Sequence, residues 1–240
     1  MAIVDINIIE DWISRVVTWN ANGGNAPEAD VFGRINQVYM NYNLVIEECG
    51  ELSDAIDAND KVEILDALCD IFVVSSYEYY LLTVNDDNKL NMNLDGAVDI
   101  LETCSEWFKD SDFLESELKD LSDVKVWKYT SCESLFDALK YSSITFMSAA
   151  ALGLNIFGHD VFIEAMEAVL SSNDAKFMDR KTAIEKLDHT KEFYADRYHN
   201  IVVVEDDCGV CCYRTDNGGG KIVKPFDWAA PDLKTIIEGE

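Results

Sequence analysis

Two long apolar stretches with helical periodicity, residues 31–58 and 61–83, constrain the fold of this chain more than any other feature. In each stretch, apolar side chains recur every three or four residues, which is the spacing of one face of an α-helix. Only Asn59-Asp60 separates them, and this dipeptide is typical of a turn. The sequence therefore predicts two long consecutive helices.

Carboxylates occupy positions within both apolar faces. On the first predicted helix, one face contains Leu44, Glu48, Glu51, Leu52 and Ala55. On the second predicted helix, one face contains Val62, Asp66, Cys69, Asp70 and Val73. Charge inside an apolar stripe is costly unless it is paired or binds a metal ion. The four acidic residues on these faces are therefore candidates for a functional site.

If the two helices pack face to face, these four carboxylates come within a few ångströms of one another. At an effective dielectric constant near 20, two like charges about 4 Å apart repel by roughly 4 kcal/mol, so such a cluster takes up protons or binds a cation. A ligand set made only of oxygen atoms suits Mg²⁺ or Mn²⁺. An ordinary solvated helix face stays open as the alternative, because 46 of the 240 residues are Asp or Glu and acidic pairs also arise by chance.

The composition limits the class of protein. The net charge of −27 disfavours binding to nucleic acid through the general surface, and an anionic substrate would need local lysines and metal ions. The 48% hydrophobic content, with three Pro and twelve Gly, predicts a compact and mostly helical globule. The N-terminal residues do not resemble a signal peptide, no apolar run reaches 18 residues, and seven scattered Cys favour reduced thiols. We therefore expect a cytoplasmic protein without a membrane segment.

The remaining periodicity predicts an all-α bundle of four or five helices with a small C-terminal β hairpin. Further helices are expected at residues 6–20, 94–109, 112–121, 131–153, 157–172 and 183–198. Strands are expected at residues 201–204, 210–214 and 222–223, followed by an irregular tail. We interpret residues 1–200 as the helical domain and 201–240 as a hairpin and tail of the same unit.

The acidic positions resemble a known family pattern. Glu47-Glu48-x-x-Glu51, followed by paired acids on a second helix, resembles the EExxE…ExxD signature of the all-α nucleoside triphosphate pyrophosphohydrolases, which include MazG and the dimeric dUTPases. The second half of the signature fits in two registers. Glu63-x-x-Asp66 matches its letters, whereas Asp66 to Asp70 followed by an apolar run is similar to bacteriophage-type members. We prefer the second register because of that apolar run, although Asp66 then replaces a Glu.

Two downstream segments are also similar to the phage-type members. Residues 172–176 resemble their SNxxK segment, and residues 220–225 with 231–233 resemble their GKvlKp…PdL ending. The resemblance implies that the nucleotide is contacted by Asn173, Lys176, Lys221 and Lys224. Exposed lysines of a polar tail are the alternative interpretation. The resemblance covers residues 5–84 and 140–235, and residues 85–135 would be a helical insertion.

The resemblance also implies an activity. A Mg²⁺-dependent enzyme of this family, with Mn²⁺ as a possible substitute, hydrolyses a ribo- or deoxyribonucleoside triphosphate to the monophosphate and pyrophosphate. The metal would be held by Glu48, Glu51, Asp66 and Asp70, with Glu63 as an alternative ligand. Glu47 or Glu51 would be the catalytic base. We expect a homodimer or homotetramer with a role in the nucleotide pool, in the host cytoplasm if the chain is phage-encoded. The alternative is a non-catalytic acidic factor that binds nucleotides or proteins.

Overall fold

The computed structural model describes residues 6–84, 111–123, 135–218 and 220–239. The described chain is mostly helical, with a small antiparallel sheet toward its C-terminal end, which confirms the predicted class of fold. The α-helices are α1 (Ile6–Asn22), α2 (Val31–Ala58), α3 (Lys61–Thr83), α4 (Ser111–Ser122), α5 (Leu135–Phe157), α6 (His159–Asp174), α7 (Arg180–Phe193) and α8 (Leu233–Glu238). The strands are β1 (Met178–Asp179), β2 (Val202–Glu205), β3 (Val210–Arg214) and β4 (Ile222–Val223).

Most predicted helices are confirmed, with shifts of a few residues at their ends. The helix predicted at residues 94–109 and the start of the one predicted at 131–153 lie outside the described residues. The helix predicted at 183–198 instead spans 180–193. It begins earlier because the Asp179 carboxylate accepts hydrogen bonds from the backbone N–H of Thr182, at 3.1 Å, and from its hydroxyl, at 2.6 Å.

The prediction of an irregular tail after residue 223 is wrong for the last part of that segment. Residues 233–238 form α8, and Asp232 caps this helix by accepting from the backbone N–H of Thr235 at 3.2 Å. A six-residue helix is too short to show a periodic apolar pattern, so only the cap could have indicated it. Within the described ranges, no helix is long and apolar enough to cross a membrane.

The sheet is built around β3. Strand β2 pairs along one edge of β3, with Val203 opposite Tyr213. Strands β1 and β4 pair with the start and the end of β3, so they follow one another along its other edge. The turn between β2 and β3 is closed by Asp206, whose carboxylate accepts from the backbone N–H of Val210 at 2.7 Å. The predicted hairpin is therefore confirmed, and β1 is an addition to it.

The described residues form two compact units. The first lies within residues 1–16, 27–167 and 232–240, and the second within residues 17–26 and 168–231. In the first unit, α3 packs against both α2 and α5. The second unit contains the sheet and α7, and its core consists of Ala183, Ile201, Cys211, Tyr213 and Val223.

Aromatic side chains form the centre of the first unit. Phe72 of α3 meets Trp12 of α1 edge to face at 5.6 Å between ring centroids, and it meets Phe146 of α5 in the same way at 5.7 Å. Trp12 also packs on Phe162 of α6 at 6.2 Å. All four side chains are fully buried. They fix α3, which carries two of the predicted site residues, against three other helices.

The turn between α2 and α3 has the geometry that its sequence predicts. Asn59 adopts a left-handed conformation with a φ of 51°, which ends α2. Asp60 then caps α3, because its carboxylate accepts from the backbone N–H groups of Val62 at 3.0 Å and Glu63 at 3.3 Å. Since the connection is this short and the helices pack together, α2 and α3 run antiparallel.

The Asp60 cap leads to a first prediction. We expect Asp60→Ala to lower the free energy of unfolding by about 1 kcal/mol, because two backbone N–H groups at the start of α3 lose their acceptor. Urea unfolding followed by circular dichroism would measure this change. Asp60→Asn keeps an acceptor oxygen and should retain most of the stability, so an equal loss in both variants would contradict the assigned cap.

Candidate functional site

The acidic residues of α2 lie at the border of its buried face. That face is centred on Val45, Cys49 and Leu52, which are almost completely buried. Glu48 is half-buried beside them, whereas Glu47 and Glu51 are exposed. The buried face of α2 is therefore rotated by part of a turn from the face predicted by spacing. Leu44 was predicted to lie on the buried face, but it lies at the edge of that face and is 38% exposed.

The acidic residues of α3 lie on the least buried side of a helix that is otherwise almost entirely enclosed. Asp66 and Asp70 are half-buried, and Glu63 is exposed one turn before Asp66. Cys69 lies between the two aspartates and is completely buried. Its thiol pKa is raised well above the usual value, first by burial and then by the negative charges of Asp70 and Asp66. Both carboxylates therefore act electrostatically on one buried group.

Helices α2 and α3 pack side by side, as their sequences predict. A partly buried hydrogen bond joins them: the side-chain amide of Asn41 donates to the carbonyl of Val74 at 2.6 Å. This bond satisfies a polar side chain that would otherwise be costly to bury. The helix pair thus carries Glu48 on one member and Asp66 and Asp70 on the other.

The side chains on this helix pair do not by themselves form a metal cage. Within the described ranges, no three His, Cys, Asp or Glu side chains are placed so that they could hold a metal ion together. Their oxygen donors suit Mg²⁺ in kind, and they occur on neighbouring helices. The four-carboxylate metal site is therefore still a prediction, as is the choice between Asp70 and Glu63.

The tyrosines near the end of α3 are core residues. Tyr77, Tyr79 and Tyr80 are all buried, and Tyr79 packs on Phe146 with 5.5 Å between ring centroids. Burial raises the pKa of all three phenols. Tyrosines clustered in the sequence can pack in a core or stack on a nucleobase, and the burial of these three side chains favours core packing.

The substrate residues suggested by resemblance lie in the second unit. Lys176 donates to the side-chain carbonyl of Asn173 at 2.6 Å, and its ammonium lies 5.2 Å from the ring centroid of Trp19. The Lys224 ammonium lies 3.8 Å above the ring of Trp228. Lys221 is exposed beside β4. Asn173 and Lys176 therefore form one group, while Lys224 belongs to a separate lysine–tryptophan pair.

Arg214 is a buried cation that the sequence pattern did not single out. It is 6% exposed, and its guanidinium donates to the carbonyls of Gly23 and Gly220 and, at 3.0 Å, to the side chain of Asn25. Burial lowers its pKa. These bonds tie the loop after α1 to the glycine-rich turn before β4. The glycine pair at 23–24 and the run of three glycines at 218–220 marked these two turns in the sequence, but nothing in the sequence indicated that Arg214 joins them.

Comparisons with known proteins give no further assignment. No family model, no curated protein and no solved structure matches this chain. The function of this chain must therefore be inferred from its residues and from their arrangement in the fold.

Proposed function

We propose that this chain is a nucleoside triphosphate pyrophosphohydrolase that releases pyrophosphate from a ribo- or deoxyribonucleotide. The observation that supports this proposal best is the antiparallel pair α2 and α3, with half-buried carboxylates on both helices. Carboxylate oxygens are the ligands that Mg²⁺ prefers, and a protein commonly supplies one or two of them while the substrate phosphates supply others. Carboxylates on two neighbouring helices therefore suit the binding of a nucleotide together with a divalent cation.

In this proposal, carboxylates bind the metal ion, and an exposed glutamate accepts the proton of the attacking water. Glu48, Glu51, Asp66 and Asp70 are the proposed Mg²⁺ ligands, with Glu63 as the alternative. A bound Mg²⁺ stabilises negative charge on phosphate oxygens during displacement at phosphorus. Glu47 or Glu51, both exposed to solvent, would accept the proton of the attacking water.

Lysines suggested by the family resemblance would contact the phosphates. Lys176, Lys221 and Lys224 are the proposed phosphate contacts, and Asn173 would position Lys176 through their 2.6 Å hydrogen bond. Charge-assisted hydrogen bonds of this kind are about twice as strong as neutral ones. They are needed here because a chain with a net charge of −27 repels an anionic substrate.

A pyrophosphate-release assay across the common ribo- and deoxyribonucleoside triphosphates tests the proposal. We expect release that requires Mg²⁺ or Mn²⁺ and stops with a chelator, and the order of rates would identify the preferred base and sugar. If a folded sample releases no pyrophosphate from any of these nucleotides, the proposed activity on common triphosphates is wrong.

The arrangement of the acids predicts how the metal binds. Mg²⁺ is commonly held by one or two carboxylates together with substrate phosphates rather than by a cage of protein ligands alone. Since no three ligands are gathered in the described residues, we expect Mg²⁺ alone to bind weakly. Calorimetry should show tighter Mg²⁺ binding when a non-hydrolysable triphosphate analogue is present. Equally tight binding without the nucleotide would contradict this prediction.

An exposed apolar surface on α2 favours a second candidate function, which is the binding of another protein. Ile35, Tyr39 and Met40 are 57%, 60% and 62% exposed, and Leu44 continues the same surface toward Glu47 and Glu51. Exposed apolar groups that adjoin one another often mark an interaction site.

In the enzyme, this surface would serve the expected homodimer or homotetramer. In a non-catalytic factor it would bind a different protein, and light scattering with and without nucleotide would distinguish a self-associating enzyme from a monomeric binding factor.

A further inference from the structure

Two tryptophan side chains meet the last turn of α6. The indole N–H of Trp19 donates to the carbonyl of Asn173 at 2.9 Å, and the indole N–H of Trp228 donates to the carbonyl of Ser172 at 2.8 Å. Carbonyls in the last turn of a helix have no donor within that helix. Two indoles from distant parts of the sequence thus donate to consecutive carbonyls at the same helix end, and the Asn173 carbonyl also accepts from the backbone N–H of Lys176 at 3.1 Å.

Each of these indole rings also contacts a lysine. The Lys176 ammonium lies 5.2 Å from the Trp19 ring centroid, and the Lys224 ammonium lies 3.8 Å from the Trp228 ring centroid. The face of an indole attracts a cation because of its quadrupole, and Trp does so most strongly among the aromatic side chains. All four residues belong to the second unit, so their contacts lie within one compact body.

Whether a lysine contacts a carboxylate or a neutral ring decides whether its positive charge is neutralised. The chain contains 46 acidic and 19 basic residues, so carboxylates are abundant. In the described part of the chain, other lysines use them: Lys186 pairs with Asp227 at 2.6 Å. Lys224 instead lies on a neutral ring. A ring orients the ammonium without cancelling its charge, so the N–H donors of Lys224 can still turn toward an anion. Lys176 already gives one donor to the side-chain carbonyl of Asn173.

We infer that Trp19 and Trp228 are positioning residues that hold Lys176 and Lys224 for contact with the phosphate groups of the substrate. This inference rests on the proposed function and adds to it two residues that the family resemblance does not include. The helix end itself would repel an anion, because its carbonyls carry partial negative charge. The two indole N–H groups reduce that repulsion by occupying the carbonyls of Ser172 and Asn173.

The test is the binding of inorganic pyrophosphate to the full chain, measured by calorimetry with a chelator present so that metal ions contribute nothing. We expect Lys224→Met to weaken binding about 10-fold or more, since a charge-assisted hydrogen bond is lost. Trp228→Leu should weaken it by about 2- to 5-fold, since the cation–π contact is lost. Trp228→Phe keeps an aromatic face and should recover part of that loss.

A double variant separates positioning from a general structural effect. If Trp228 acts through Lys224, adding Trp228→Leu to Lys224→Met should cause no further loss of pyrophosphate binding. Lys181→Met is the matched control, because Lys181 is 84% exposed in the same unit and pairs with Glu185, so its loss should leave binding unchanged. Near-ultraviolet circular dichroism would establish that each variant is folded, and Trp228→Phe gives a second reading if the Leu variant is not.

The outcomes distinguish this inference from the proposed hydrolysis. Independent, additive losses from Trp228→Leu and Lys224→Met, or pyrophosphate binding that is unaffected by Lys224→Met, would overturn the positioning role. Binding that depends on the pair as described, in a chain that hydrolyses no triphosphate, would support the positioning role and refute the hydrolysis.

Discussion

Glu48→Gln and Asp70→Asn should each lower the rate of pyrophosphate release by about 100-fold or more, because each removes a charge that would hold the metal at the reacting phosphate. Both substitutions keep the size of the side chain. Both carboxylates are half-buried rather than central to the core, and each new amide keeps an acceptor oxygen, so both variants should remain folded. The measurement is the initial rate of pyrophosphate release at saturating nucleotide and Mg²⁺.

Two further variants sharpen this prediction. Asp54→Asn is the matched control, because Asp54 is an exposed acid of the same helix α2, and its rate should equal that of the native chain. Glu63→Gln tests the register of the second acidic pair: we expect a smaller effect than that of Asp70→Asn. A native rate in the combined Glu48 and Asp70 variant would mean that the site is assigned to the wrong residues. A larger effect of Glu63→Gln would favour the alternative register.

Phe72→Ala should lower the free energy of unfolding by about 3–5 kcal/mol, because a fully buried aromatic ring is replaced by a cavity. Phe72 is 0% exposed and lies edge to face with both Trp12 and Phe146. The variant removes both ring contacts and loosens the packing that fixes α3. Urea unfolding measures the loss, and since α3 carries Asp66 and Asp70, pyrophosphate release should fall as well.

Phe193→Ala is the matched control for this second prediction. Phe193 is an aromatic residue at the end of α7 that is 64% exposed, so its removal should change the free energy of unfolding by about 0.5 kcal/mol or less. Equal losses for Phe72→Ala and Phe193→Ala would contradict the assignment of the aromatic centre to the core of the first unit.

The first three helices could be predicted from sequence because their signals are local. Residues 31–58 and 61–83 match α2 and α3 at both ends, since the apolar period is long and Asn59-Asp60 marks the turn between them. The buried side of each helix was harder to predict. Because α3 is enclosed on nearly every side, its apolar residues carry little directional information, and Leu44 was assigned to a face that it only borders.

The features that could not be predicted depend on contacts between distant residues. Strand β1 has only two residues, and it forms because Met178 pairs with Cys211, 33 positions away. The contacts of Trp19 with Asn173 and of Arg214 with Gly23 join segments more than 150 residues apart. The periodicity of apolar residues along the chain does not predict contacts between such distant residues. The candidate lysines could be predicted only through the family resemblance. Their contacts with tryptophan residues could be identified only from the fold.

The measurement that tests the central claim most directly is the ³¹P NMR spectrum of the products formed from a triphosphate in the presence of Mg²⁺. The proposal predicts signals of a nucleoside monophosphate and of pyrophosphate in equal amounts, and it predicts that the Glu48→Gln sample produces neither at a comparable rate. Signals of a nucleoside diphosphate and orthophosphate would show cleavage at a different bond and would contradict the proposed activity. The same would follow if the Glu48→Gln variant formed the products as fast as the native chain.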